Sequence, residues 1–231
     1  ARNPEALAVI ERSALQHSAP LWRIGREFYA ERHSYGEGWQ RFSVHTPRRA
    51  YRDLQIPLAG AFQVENAATA VAALDAVSET WRALPEEAIR EGLSQVRIAG
   101  RMEVVRRSPT VILDGAHNAA SAQALADALQ ELYGDRRLIL VLGVLEGHLA
   151  ADIVGGLAPR AAMVIATAAR DPRAQPAALV AAEARRFSSR VEVVEPVAAA
   201  LQRAISVAEL DDVVCVTGSF TVIGEAGRAL V

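Results

Sequence analysis

Val111-Ile112-Leu113-Asp114-Gly115-Ala116-His117-Asn118 reads as a strand that runs through a turn into a helix. Three apolar residues in a row, without alternation, suit a strand covered on both faces. Gly115 opens the turn, and Asn118 is a residue type that caps helix starts. Beyond it Ala122, Leu125, Ala126, Leu129 and Leu132 recur at helical spacing. Further apolar bursts follow at 138–142, 163–165, 191–194 and 213–216, and Val197, Leu201, Ala204 and Ile205 form a helical pattern before the last. Strand–helix alternation from Arg101 onward predicts an open, mostly parallel sheet flanked by helices, in the α/β class.

Upstream the grammar differs. Pro4 stands just inside a short amphipathic helix over 3–16, with Leu7, Ala8, Ile10, Ala14 and Leu15 as its apolar positions. Proline-bounded segments at 42–44 and 54–58 read as strands of a small sheet. An Ala-rich helix over 64–77 places Ala67, Ala70, Val71 and Leu74 on one face, and a second helix over 85–93 has Glu86 and Glu87 near its positive end. Residues 94–100 read as a hinge.

The 231 residues are 51% hydrophobic and 23% charged, with a formal net charge of −2. That supports one large core or two modest ones and gives no general attraction to nucleic acid or to an acidic membrane. All 25 basic residues are Arg, so no lysine here can form a Schiff base, hold a phosphate or be carbamylated. Cys215 lies in an apolar run and reads as a small core residue. No apolar run approaches the ~18 residues that span a bilayer. The first residues lack a signal-peptide layout, and the expected setting is a reducing, cytoplasmic one. There is no pair of His at metal-ligand spacing, no Gly-x-Ser-x-Gly elbow and no Gly-x-x-x-x-Gly-Lys-Ser/Thr loop.

In an open α/β sheet, ligands bind outside the carboxyl ends of the strands. Asp114, at a strand tip open to solvent, is placed to accept hydrogen bonds from ribose hydroxyls, and His117 to face an anion; a well-capped turn whose Asp and His satisfy loop amides explains the same residues. Arg101 in Gly100-Arg101-Met102-Glu103 can reach a ligand held between two bodies, or be a surface residue on an edge strand. Asn66, in Gly60-Ala61-Phe62-Gln63-Val64-Glu65-Asn66, carries an amide able to read a purine edge, or is a polar residue at a helix start. Thr217-Gly218-Ser219 offers a further anion site or a plain N-cap, and His148 reads as a helix-entry residue.

The order of these segments is more specific than any one of them. Gly60, Gln63 and Asn66-Ala67-Ala68, then Ala99-Gly100-Arg101-Met102-Glu103-Val104, then Leu113-Asp114-Gly115-Ala116-His117-Asn118 resemble the folylpolyglutamate synthase/dihydrofolate synthase family of the Mur ligase superfamily. Gly143-Val144-Leu145 and Gly218-Ser219 are similar to it as well. The resemblance implies part of an α/β ATPase domain over 1–98, then the Rossmann-like C-terminal Mur ligase domain over 99–231. It implies an ATP-dependent ligase that adds glutamate to folate, to dihydropteroate or to both, through an acyl phosphate. It also implies a monomer whose partners are ATP, the pteridine acid and glutamate. By the family pattern Asn66 meets adenine, Asp114 the ribose and Arg101 the phosphates or the interdomain face; His117 is catalytic, beside the terminal phosphate, and Ser219 helps to position glutamate. The family's Gly-rich phosphate loop, Mg2+ ligands and modified lysine have no counterpart here, so this stretch alone is expected to be inactive. Phe62 stands where the family usually has His, Ala119 where it has Pro, and Glu146-Gly147-His148 replaces a Lys/Asp-rich stretch. Another Mur-type amino-acid ligase, or a nucleotide-binding or interaction module without catalysis, are the other readings.

Overall fold

The computed structural model describes residues 4–78 and 84–230. Two sheets organise them. The smaller is antiparallel, β1 (Tyr29–Gly36), β2 (Trp39–His45) and β3 (Ala50–Ile56) in that order. α2 (Ala61–Val77) and α3 (Glu86–Gln95) pack against it, around Phe42, Val44, Tyr51, Leu54, Ile56, Val71 and Ile89. β1 was not anticipated. Its sequence, YAERHSYG, alternates between exposed and half-buried positions and carries no apolar burst.

The other departures are local. The third strand ends at Ile56, so Pro57 and Leu58 lie outside it, and Ser94 and Gln95 belong to α3 rather than to the connecting stretch. α2 buries Gln63, Val64, Ala67, Ala68, Val71, Ala72 and Asp75, whereas Ala70 is exposed and Leu74 is 39% exposed. The inward stripe is therefore rotated from the expected one, because a run of alanines marks no face by itself. Helix α1 (Pro4–Gln16) forms as expected, although Asn3 lies outside the described residues. None of its residues is buried and Leu15 is 82% exposed.

The larger sheet has six strands in the order β4-β5-β9-β6-β7-β8. These are β4 (Glu103–Arg107), β5 (Thr110–Leu113), β6 (Leu138–Leu142), β7 (Met163–Ala166), β8 (Val191–Val193) and β9 (Val213–Thr217). β4 is an antiparallel edge and the other five strands run parallel. β9 lies between β5 and β6, with Cys215 opposite Ile112 on one side and Leu140 on the other. Cys215 is fully buried, and burial pushes its thiol well above the usual value, as befits a core residue. α4 (Ala119–Tyr133), α5 (Ala150–Leu157) and α6 (Ala177–Ala184) cover one face of the sheet; α7 (Val197–Val207) and α8 (Phe220–Arg228) cover the other. Each fully buried Leu, Ile or Val in these layers contributes about 1.5–3 kcal/mol by leaving water.

β5 and β9 are neighbours, yet their chains leave to opposite faces, β5 into α4 and β9 into α8. Diverging connections open a crevice at the carboxyl ends of the strands.

Candidate functional site

The crevice is tied together by backbone. Asp114 N–H donates to Val216 O at 3.0 Å, Gly115 N–H to Gly100 O at 2.8 Å and Gly218 N–H to Ala116 O at 3.1 Å. At Gly218 φ is +105°, and a Cβ there would lie 2.3 Å from the carbonyl oxygen of Gly143. The turn after β9 thus closes against the end of β6 only because residue 218 has no side chain.

Asp114 differs from the expectation. It is 3% exposed, not open to solvent. Its Oδ2 accepts the Met102 N–H and its Oδ1 the Ala116 N–H, both at 2.9 Å. Burial raises its carboxyl above the ordinary carboxylate value, while these two hydrogen bonds and the charges of Arg101 and His117 pull the other way. Gly100 and Met102, on either side of Arg101, have φ of +67° and +48°. Asp114 therefore pins a strained turn, and that turn presents Arg101. The guanidinium of Arg101 lies 4.8 Å from the Phe220 ring centre.

Asn66, Arg101 and Asp114, remote in sequence, meet on one cleft of about 470 Å³ between α2 and the start of α4. Phe62, Gln63 and Ser121 line it too. Asn66 Nδ2 donates to Gln63 Oε1 at 3.0 Å, which leaves the Asn66 carbonyl oxygen and its second N–H for a ligand. Phe62 packs against the core of the larger sheet although it belongs to α2, so it joins that helix to the larger sheet beside the cleft.

His117 and Ser219 are not on that lining. His117 is half-buried at the start of α4, its Nδ1 2.8 Å from Gly115 O, with the rings of His148 and Phe220 against it at centroid distances of 5.2 and 6.3 Å. Ser219 caps α8 and accepts the Val222 N–H at 3.1 Å, the plain N-cap alternative. Asn118 caps α4 as expected, in a capping box with Ser121, whose hydroxyl also accepts the N–H groups of His117 and Asn118.

Gln63 and Ser121 were within reach of sequence reasoning, through the three-residue helical spacing from Asn66 and the capping-box spacing from Asn118. Phe220 had no such signal. Among the described residues, no group of three or more His, Cys, Asp or Glu could hold a metal ion, and no helix is long and apolar enough to cross a membrane.

A family model described as Mur ligase, glutamate ligase domain, matches residues 100–220. A Mycobacterium tuberculosis dihydrofolate synthase/folylpolyglutamate synthase is 32% identical over 210 residues, which cover 89% of this chain and 43% of the relative. The structure of Mycobacterium tuberculosis folylpolyglutamate synthase complexed with ADP matches with a TM-score of 0.91 at 29% identity, over 98% of this chain and 53% of that one. A Yersinia pestis bifunctional folylpolyglutamate synthase/dihydrofolate synthase complexed with AMPPNP and Mn ion matches with a TM-score of 0.82 at 25% identity, over 96% and 50% of the two chains. The chain thus spans about half the length of these relatives.

Proposed function

Because the chain belongs to the folylpolyglutamate synthase/dihydrofolate synthase family of Mur ligases, we propose that it is the C-terminal portion of an ATP-dependent ligase that adds glutamate to folate, to dihydropteroate or to both. In this reading residues 1–98 complete an ATPase domain and residues 99–231 form the C-terminal domain. ATP phosphorylates the substrate carboxylate, the glutamate amine attacks the acyl phosphate, and phosphate leaves. A cleft between two bodies suits this chemistry, since it orients both reactants and keeps water from the activated acyl group. Asn66 binds the adenine edge and Arg101 the phosphates. Asp114 holds the Arg101 turn, and its carboxylate oxygens retain lone pairs for the ribose. His117 stands beside the terminal phosphate, and Ser219 near glutamate. Among the described residues no group of three or more His, Cys, Asp or Glu fits a Mg2+ site, and in this reading the Mg2+ ligands belong to the part of the ligase outside this chain.

The observation that carries this reading is the meeting of Asn66, Arg101 and Asp114 on one cleft. Titrating the isotope-labelled chain with ADP tests it: amide shifts are expected at 62–66, 98–102 and 114–121. Shifts confined to other regions would overturn the site. The purified chain is also expected not to hydrolyse ATP, having no lysine to hold the β- and γ-phosphates; turnover that scales with chain through repeated purification would contradict that.

The missing lysine also favours a second reading, a nucleotide-binding module without catalysis. The coding sequence upstream of Ala1 separates the two. A continuous frame with a Gly-Lys-Ser/Thr loop supports the ligase, and a start codon adjacent to Ala1 the module.

A further inference from the structure

The loop after β6 carries His148, which does not line the cleft of Asn66, Arg101 and Asp114. Its His148 ring lies 5.2 Å from the His117 ring at an interplanar angle of 61°, an edge-on contact. His117 itself is fixed by one side-chain hydrogen bond, Nδ1 to Gly115 O at 2.8 Å. A carbonyl only accepts, so Nδ1 carries the proton, and Nε2 is the nitrogen left to accept from or give a proton to a ligand. A single hydrogen bond does not fix the tilt of an imidazole; rings packed against it do.

The main chain that carries His148 is held in place. Gln175 Nε2 donates to His148 O at 2.8 Å and to Leu145 O at 3.1 Å, while Gln175 N–H donates to Val144 O at 2.9 Å and Glu146 N–H to Arg173 O at 2.6 Å. Gly147, at φ +86°, makes the turn just before it. A loop from β6, braced by the 173–175 segment, thus lays one ring on a histidine that belongs to the neighbouring β5–α4 turn.

We propose that His148 is a positioning residue for His117: its ring, with Phe220, holds the His117 imidazole in the orientation that keeps Nδ1–H on Gly115 and Nε2 open to the phosphate end of a nucleotide. This rests on the nucleotide reading of the site.

The chain has five histidines, so nitrogen NMR of the imidazoles can follow His117 directly in the whole chain. At alkaline pH wild type is expected to show His117 mainly as the Nδ1–H tautomer, with its resonances moving on addition of ADP. His148→Ala should mix the Nε2–H tautomer in and weaken ADP binding roughly two- to tenfold, the equivalent of one edge-on ring contact. His148→Phe, which keeps the ring but not its nitrogens, should restore both. A His117 tautomer indifferent to His148→Ala, or one that His148→Phe fails to rescue, overturns this inference and leaves the nucleotide reading standing. ADP that moves no His117 resonance in wild type overturns the role of His117 in the nucleotide reading, while the tautomer of the two variants still decides whether His148 positions the ring.

Discussion

Replacing Asp114 with alanine removes the acceptor for two backbone N–H groups, Met102 and Ala116, each at 2.9 Å in a place only 3% exposed. A hydrogen bond to a charged group is worth about 1.5–3 kcal/mol, and a buried N–H left without a partner costs about 1–3 kcal/mol. Burial of the carboxylate, which raises its pKa, offsets part of this. The expected loss is about 3 kcal/mol, which in a chain of this size lowers the melting temperature by roughly 6–12 °C. Affinity for ADP should fall with it, because the turn held by Met102 N–H is the turn that presents Arg101. Asp114→Asn keeps one acceptor and aims an N–H at the other donor, so it should fall between wild type and alanine. The dependence on pH has a definite sign. A carboxyl whose pKa is raised from 3.8 by folding binds its proton more readily in the folded state, so its contribution is full below 3.8 and declines as pH rises through the folded value. The margin of wild type over Asp114→Asn should therefore narrow as pH rises through that window. Thermal melts and ADP titrations on the same preparations are the assay. An Asp114→Ala protein that melts with wild type refutes the brace; one that is destabilised but binds ADP as tightly refutes its link to Arg101.

Gly218→Ala puts a Cβ 2.3 Å from Gly143 O at a φ of +105° and should cost about 2–5 kcal/mol, measured by denaturant unfolding. Asp75→Ala leaves Thr46, Arg49 and Tyr51 without the buried carboxylate they share; with the Arg49 side chain 42% exposed no buried charge is stranded, and the lost hydrogen bonds should cost about 2–4 kcal/mol. In the same variant the Tyr51 hydroxyl, pushed up to about 12 by burial and by Asp75, should titrate lower, which ultraviolet titration detects. Asn66→Ala, at an exposed position of α2, should cost only about 1 kcal/mol of stability, through the hydrogen bond it gives to buried Gln63, and weaken ADP binding about tenfold by calorimetry; an unchanged affinity would remove Asn66 from the site.

The parallel strands were legible because strands covered on both faces need apolar residues at consecutive positions, as in Val111-Ile112-Leu113 and Leu138–Leu142. β1 and β4 lacked that signal. They are an antiparallel strand of alternating half-burial and an antiparallel edge of sequence EVVRR, where one face or one side meets water. The inward stripe of α2 was hidden for another reason: alanine is accepted on either side of a helix, and packing against Phe42 and Val44 selects the face. The motif order pointed to Asn66, Arg101 and Asp114, which the fold does bring to one cleft. What spacing could not convey was the direction of the Asp114 carboxylate. That depends on a left-handed Met102 whose N–H turns inward, a property of the folded turn and not of any one residue type.

The place of β9 has a consequence for biosynthesis. During translation β5 and β6 leave the ribosome long before residues 213–217, yet in the finished sheet they never touch, because β9 stands between them. Until then each presents an unpaired, strongly apolar flank, the kind of edge that invites pairing with another chain. Closure of this sheet is thus a late, long-range event. A ribosome stalled before Val213 would hold helices and strands already formed around an empty central slot, a natural client for chaperones and proteases.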